Sequence, residues 1–280
     1  MQDKRTRVHE PINSGPETLS SAPDVKVFTF ENLPGDQHRL VSNDYVVEKR
    51  TRQAKVDDWE LVVDVSYVVI ERKGRLLAKF DNDIYAGFGN STHITSFPLL
   101  LGPEKQIIIS QDVNRGGAQW IVSLAPVFKV IFDGSEFGVG REGYDLRITD
   151  LDNDGSYELM LPITHFYEFH MMGMSEIPLP TIIFKYDVKT RSYIPASPDF
   201  SCYLFKDLDT LKAHVNQERL PRLSGVMSVL LNLIFAGKER EGWLYYDETY
   251  YAPDKEEVRA RIKKILKKHP VYRFIYKKKR

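Results

Sequence analysis

Between residue 25 and about residue 200, apolar and β-branched residues alternate with polar residues in short segments. Glycine, proline, asparagine and aspartate bound these segments, which is the pattern of a largely antiparallel β protein. Turn sequences between neighbouring segments predict hairpins at Lys73-Gly74, Asp133-Gly134 and Lys189-Thr190-Arg191. We therefore expect residues 25–200 to form an antiparallel β body with a propeller-like or sandwich-like architecture.

After Phe200 the spacing of apolar residues changes from about two to about 3.6 residues, which is typical of amphipathic helices. The pattern predicts about three helices, with caps and breakers at their ends, over residues 207–220, 223–237 and 253–269. We expect this helical region, residues 201–280, to pack on the β body. Residues 1–24 are rich in proline, serine and charged residues and are predicted to be disordered.

Composition narrows the class of protein. The chain has 280 residues, 42% of them hydrophobic, and its formal net charge is zero, so it has no overall attraction to nucleic acid or acidic membranes. The single cysteine, Cys202, excludes an internal disulfide and a zinc site built from cysteines. No apolar run approaches the roughly 20 residues that span a bilayer, and residues 1–24 lack the apolar core of a signal peptide.

The segment ITDLDNDGSYELML, residues 148–161, has the densest cluster of candidate ligands. Calcium loops of the D-x-D-x-D-G type supply oxygen atoms from positions 1, 3, 5, 7 and 9 and have glycine at position 6. In this order the positions correspond to Asp150, Asp152, Asp154, Ser156 and Glu158, with Gly155 at the bend. Leu161 stands where an EF-hand has a bidentate glutamate, and the flanks are predicted strands, so the loop is not an EF-hand.

Electrostatics favour a cation in this loop. Carboxylates two residues apart on a tight bend repel one another by about 1 kcal/mol per pair even in water, and a divalent ion turns that repulsion into attraction. Two alternatives remain at this point. Asn-Asp-Gly forms a good hairpin turn without any ion, and the carboxylates could serve catalysis, through magnesium or as an acid/base pair.

The stretch DLDNDGSYEL between apolar strands resembles the calcium loop of FG-GAP/VCBS-type repeats, which occur in integrin-α-like β-propellers and in many bacterial extracytoplasmic proteins. The resemblance implies one structural calcium ion, held by the four carboxylates and the Ser156 carbonyl. It also implies an extracytoplasmic location, periplasmic or secreted, although a cytoplasmic location stays open. Residues 110–122 align with residues 148–160 when Gly117 is placed on Gly155, as a degenerate repeat or a coincidence.

Three other segments carry candidate function. In HFYEFH, His165 and His170 would face opposite sides of a predicted strand, which disfavours a zinc site. The connection 170–181 either binds a protein partner or folds over the core or against the C-terminal helices. Its adaptable apolar residues are Met171, Met172, Met174 and Ile177. Residues 253–280 hold twelve Lys/Arg and three Asp/Glu, which favours contact with an acidic partner or a solvated helix and tail.

These observations predict a non-enzymatic binding or structural protein that one calcium ion stabilises. The sequence contains no G-x-S-x-G motif, no S-x-x-K motif and no phosphate-binding glycine loop. The first alternative is a hydrolase with a loop-built site near Asp150, His165 and His170. The second alternative is an adaptor that binds anions or a partner through the basic C-terminal helix, and nucleic acid is not a favoured ligand.

Overall fold

The computed structural model describes residues 27–29, 33–56, 61–81, 90–113, 116–138, 146–166, 169, 172, 176–206, 208–217 and 222–277. The segment that the sequence predicts to be disordered, residues 1–24, lies outside these ranges. The described chain forms three antiparallel sheets, followed by helices that are mostly C-terminal. This confirms the predicted class, mainly β with a helical C-terminal part.

Each sheet is built from strands that follow one another in the chain, apart from the first strand. The first sheet contains β2 (Arg39–Ser42), β3 (Tyr45–Val56), β4 (Leu61–Arg72) and β5 (Arg75–Phe80). The second sheet contains β6 (Asn90–Phe97), β7 (Gln106–Val113), β8 (Gly116–Ser123) and β9 (Lys129–Asp133). The third sheet contains β1 (Phe28–Thr29), β10 (Arg147–Thr149), β11 (Glu158–Pro162), β12 (Thr181–Asp187) and β13 (Ser192–Pro195), with β1 at the edge beside β10.

The second sheet is buried on both faces because apolar residues alternate in register on each. Ile109 and Trp120, which are opposite each other, share a core with Val47 and Ile70 of the first sheet. On the other face, Ile108 and Ile121 are paired in the main core, which also contains residues of the third sheet. Consecutive four-stranded meanders are the building unit of β-propellers, but the described strands form no closed barrel.

Two of the three predicted hairpins are confirmed. Lys73 and Gly74 have φ of 51° and 74° between β4 and β5, the left-handed backbone that a type I′ turn requires. Lys189–Arg191 lies in the turn between β12 and β13. The hairpin at Asp133-Gly134 is wrong, because the Asp133 side chain accepts a hydrogen bond from Ser135 N at 2.9 Å and caps the short helix α1 (Gly134–Phe137).

The aligned segments 110–122 and 148–160 have different structures. The earlier one forms the β7–β8 hairpin, in which Asp112 is directly opposite Gly117 in the ladder. In the later one, eight residues, 150–157, separate β10 from β11, and Gly155 lies in that loop with φ of 82°. The two glycines therefore occupy different structural positions, and residues 110–122 do not form a second copy of the acidic loop.

The helical region has more helices than the pattern predicts. Six helices follow the sheets: α2 (Ser201–Phe205), α3 (Leu208–Gln217), α4 (Leu223–Phe235), α5 (Glu239–Thr249), α6 (Lys255–Lys268) and α7 (Pro270–Lys277). The predicted helices correspond to α3, α4 and α6. Gly237 follows α4 in the left-handed conformation, with φ of 81°, and α6 ends before Pro270, as expected.

The helices pack into the main core together with the second and third sheets. Leu230 of α4, Ile262 of α6 and Ile275 of α7 belong to the same buried cluster as Leu159 and Phe184. The described residues include no helix that is both long enough and apolar enough to span a bilayer.

Candidate metal centre

The acidic loop, residues 150–158, lies at the end of the third sheet and leads from β10 into β11. The Asp150 carboxylate organises its backbone: Oδ1 accepts from Asp154 N and Oδ2 accepts from Gly155 N, both at 3.1 Å. Asn153 and Gly155 have φ of 56° and 82°, and asparagine and glycine are the residues that tolerate this left-handed conformation best. The sequence DNDG therefore folds into a tight bend around its own first carboxylate.

Three carboxylates converge inside this bend. One carboxylate oxygen from each of Asp150, Asp152 and Glu158 lies within 4.8 Å of the others. Oxygen atoms from carboxylates are the ligands that hard cations such as Ca²⁺ and Mg²⁺ prefer. The arrangement can therefore hold a divalent ion.

Glu158 is the most unusual member of the group because its side chain is buried, with 0% exposed surface. Its Oε2 accepts from Leu151 N at 2.7 Å, whereas Oε1 has no hydrogen-bond partner among the described residues. Burial raises the pKa of Glu158 to about 7, against the opposing effect of the Leu151 hydrogen bond, and the charge of Asp152 adds to the rise. A buried carboxylate in this state is satisfied by a proton or by a cation.

Neighbouring elements hold the acidic loop on both sides. Tyr203 of α2 donates its hydroxyl hydrogen to Leu151 O at 2.6 Å. Tyr157 N donates to Leu99 O in the connection that follows β6, at 2.8 Å, and Tyr157 O accepts from the Tyr193 hydroxyl at 3.0 Å. These contacts fix the loop relative to α2, β13 and the connection that follows β6.

Lys185 on β12 is a functional candidate that the sequence does not reveal. Its Nζ donates to Asp154 Oδ2 at 2.9 Å and also to Asp152 Oδ2. Partial burial alone would lower the pKa of Lys185, but the hydrogen bonds to Asp152 and Asp154 outweigh it and raise the pKa above its usual value. Lys185 therefore places a positive charge beside Asp152 and Asp154.

The structure divides the predicted ligands into two sets. Asp150, Asp152 and Glu158 converge, as expected for a shared ion. Asp154 instead accepts from Lys185 and, through Oδ1, from Ser156 N at 2.8 Å. Burial opposes these hydrogen bonds, but they prevail and lower the pKa of Asp154. The predicted roles of Asp154 and of the Ser156 carbonyl as ligands stay predictions.

His165 lies in a turn that follows β11, so the prediction that it sits on a strand is wrong. Its ring packs on that of His269, with centroids 4.2 Å apart. A Cβ atom on Gly138 would lie 1.7 Å from His165 Cε1, which explains the glycine at this position. Among the described residues, the group able to hold a metal does not include His165, and His170 lies outside the described ranges. The hydrolase alternative stays a prediction.

Part of the predicted partner-binding connection belongs to the core. Ile177 is buried in the main core and Met172 packs against it. At Ile177 and Met172 the connection therefore folds over the core, as the second alternative predicted. Leu179 is 40% exposed, whereas Met171 and Met174 lie outside the described residues.

The basic C-terminal region has a one-sided charge. Residues 263–277 contain six basic residues and no acidic one: Lys263, Lys264, Lys267, Lys268, Arg273 and Lys277. A shallow groove on α7 is lined by Pro270, Arg273, Phe274 and Lys277. The adaptor alternative has a suitable surface here and stays a prediction.

Comparison with known proteins gives no relative. No protein-family model, no curated protein and no solved structure matches the chain significantly.

Proposed function

We propose that the acidic loop binds one calcium ion and that the protein is a non-enzymatic binding or structural protein whose β body this ion stabilises. The observation that carries the proposal is the buried Oε1 of Glu158, which lacks a hydrogen-bond partner among the described residues. It belongs to a carboxylate that converges with those of Asp150 and Asp152. A cation bound by all three would satisfy this oxygen and neutralise the repulsion between the carboxylates.

The chemistry of the ligands favours calcium over other metals. All three converging groups are carboxylates, whereas zinc and copper sites in proteins are usually built from histidine and cysteine. Calcium accepts irregular coordination by six to eight oxygens, and magnesium demands a near-ideal octahedron. The D-x-D-x-D-G order of these same residues and their resemblance to FG-GAP/VCBS-type calcium loops also favour calcium.

The position of the loop suits a structural ion. The loop joins β10 to β11 and its Tyr157 is hydrogen-bonded to Leu99, which precedes β7 of the second sheet. An ion here would hold two strand ends and the neighbouring sheet together. A loop with few strong ligands fills only at millimolar calcium, so we place the protein outside the cytoplasm, as a periplasmic or secreted protein.

Thermal unfolding in calcium and in chelator tests the proposal. At a calcium concentration tenfold above a millimolar Kd, about 10 mM, binding stabilises the folded state by about 1.4 kcal/mol, which raises Tm by about 3 to 6 °C for a chain of this size. We expect Asp152→Asn to abolish the rise. The matched control is Asp209→Asn, because that side chain is 94% exposed on α3, and it should keep the rise.

Two results would overturn the proposal. The wild-type Tm could be the same in calcium and in chelator, which would leave the loop as a hairpin turn with Lys185 as its counter-ion. Alternatively, the rise could persist in Asp152→Asn, which would place the stabilising ion elsewhere in the chain.

A further inference from the structure

Lys185 is a cationic side chain in direct contact with the acidic loop. Its ammonium group bridges Asp152 Oδ2 and Asp154 Oδ2. Asp152 is at the same time one of the three carboxylates that converge on the candidate ion position. The same carboxylate thus serves the lysine and would serve the ion.

Calcium and the ammonium group compete for Asp152. A calcium ion lies 2.3–2.6 Å from its oxygen ligands, so an ammonium group bonded to the same carboxylate would be a few ångströms from the ion. Two cations at such a distance repel strongly unless water screens them. Contact of Lys185 with Asp152 would therefore weaken calcium binding, and bound calcium would weaken that contact.

We propose that Lys185 is a displaceable internal counter-ion: it neutralises the acidic loop when calcium is absent and must leave when calcium enters. This inference rests on the proposed calcium binding. It adds a regulatory element to the site, because the lysine lowers the affinity for calcium and offsets the repulsion between carboxylates when calcium is absent.

The surroundings of Lys185 allow its ammonium group either to contact the acidic loop or to turn away from it. Its side chain is 33% exposed, so a route to solvent is open. The ammonium group also lies 5.8 Å from the centre of the buried Phe200 ring. The four-carbon stem of lysine is flexible, and the loop backbone is held independently by Asp150. The ammonium group can therefore move away without unfolding the loop.

Calorimetric calcium titration of wild type, Lys185→Met and Lys189→Met tests the competition. Methionine keeps the length of the apolar stem and removes the charge. We expect Lys185→Met to bind calcium about tenfold more tightly or better, because the competing cation is gone. Lys189 is an exposed lysine in the turn that follows β12, and Lys189→Met should remain within about twofold of wild type.

A second measurement needs no variant. Acylation of lysine side chains in the wild-type protein, followed by peptide mass spectrometry, reports whether Lys185 is free. The ammonium group bonded to two carboxylates should be protected in chelator, and we expect its acylation rate to rise at least about threefold in saturating calcium. Lys189 should react equally in both conditions.

The outcomes separate the two proposals. Equal calcium affinity of wild type and Lys185→Met, or acylation of Lys185 that calcium does not change, would overturn the counter-ion proposal and leave the calcium site intact. Absence of binding in both proteins would overturn the calcium site and this inference with it. Binding by Lys185→Met alone would show that the lysine replaces the ion permanently, which also overturns both.

Discussion

At the scale of single residues, Glu158 decides how the acidic loop behaves. Carboxylates are almost never fully buried unless they are paired, yet Glu158 has no exposed surface and only its Oε2 is hydrogen-bonded to a described group, Leu151 N. Leaving a buried polar atom unsatisfied costs about 1–3 kcal/mol. The unsatisfied Oε1 of Glu158 thus destabilises the folded state. A ligand that binds this oxygen would remove the destabilisation.

Glu158→Gln should change stability in opposite directions with and without calcium. In chelator at pH 8 the amide should leave Tm unchanged or raise it, because it keeps the acceptor for Leu151 N and does not bury a charge. In calcium the variant should lose the stabilisation of the wild type, since an amide is a weaker ligand than a carboxylate. Differential scanning calorimetry in both conditions measures this.

The control for this pair of melts is Glu104→Gln, an exposed glutamate in the connection between β6 and β7. It should follow the wild type in both conditions. A large loss of Tm for Glu158→Gln in chelator would contradict the account, because it would mean that the charge itself stabilises the calcium-free protein.

At the scale of elements, the junction between α6 and α7 contains a second buried titratable side chain, His269. His269 lies between the two helices, is buried, and accepts from Val271 N through Nδ1 at 3.2 Å. Burial, and then the neighbouring His165, lower the pKa of His269 to about 3. A histidine that stays neutral in the folded state and is protonated in the unfolded state disfavours folding at acidic pH.

Titration of His269 should therefore destabilise the folded state as the pH falls. The unfolded histidine binds a proton below about pH 6.5, whereas folded His269 does so only near pH 3. The contribution of His269 to the free energy of unfolding should be constant above pH 7. It should fall by about 2 kcal/mol between pH 7 and pH 5. Buried Glu158, whose pKa is raised to about 7, takes up a proton over the same range and shifts stability in the opposite direction in both proteins. Urea unfolding at both pH values should therefore show the fall as a loss of stability of wild type relative to His269→Asn.

Asparagine keeps an acceptor for Val271 N and cannot be protonated in this range, so the comparison isolates the titration of His269. The exposed His214 on α3 provides the matched control, and His214→Asn should retain the wild-type pH dependence. Equal pH dependence in wild type and His269→Asn would contradict the assignment.

The helices show which sequence signals are sufficient to predict a helix. The predicted helices that became α3, α4 and α6 have apolar residues at helical spacing with recognisable ends. Helix α5, EREGWLYYDET, is mostly polar and aromatic, and α7 has only eight residues. Their helical state depends on burial of residues such as Tyr246 and Val271 in the main core, and single-sequence periodicity does not contain that information.

At the scale of the whole molecule, long-range packing supplies what the sequence pattern lacks. The acidic loop is recognisable from its spacing, because its ligands lie within nine residues. Lys185 is not, since it reaches the loop only through the register of β12 on β11, in which Phe184 is opposite Leu159. In the same way, the β character was predictable, whereas the stacking of three sheets depends on which faces of the second sheet are buried.

Positive and negative charge are distributed unevenly over the molecule. The chain is neutral overall, but its positive charge is concentrated in the last helices and the acidic loop lies on the β body. A calcium ion would reduce the negative charge at the loop without changing the basic surface. The two functional alternatives, calcium-dependent stability and anion binding, are therefore separable by experiment.

The most direct test of the calcium proposal is the amount of bound calcium per chain at saturation, measured by equilibrium dialysis and atomic emission over about 1–20 mM calcium, a range that spans the millimolar affinity of such loops. The account predicts close to one ion per wild-type chain and almost none in Asp152→Asn. Bound calcium that is negligible in wild type, or equal in both proteins, would contradict it.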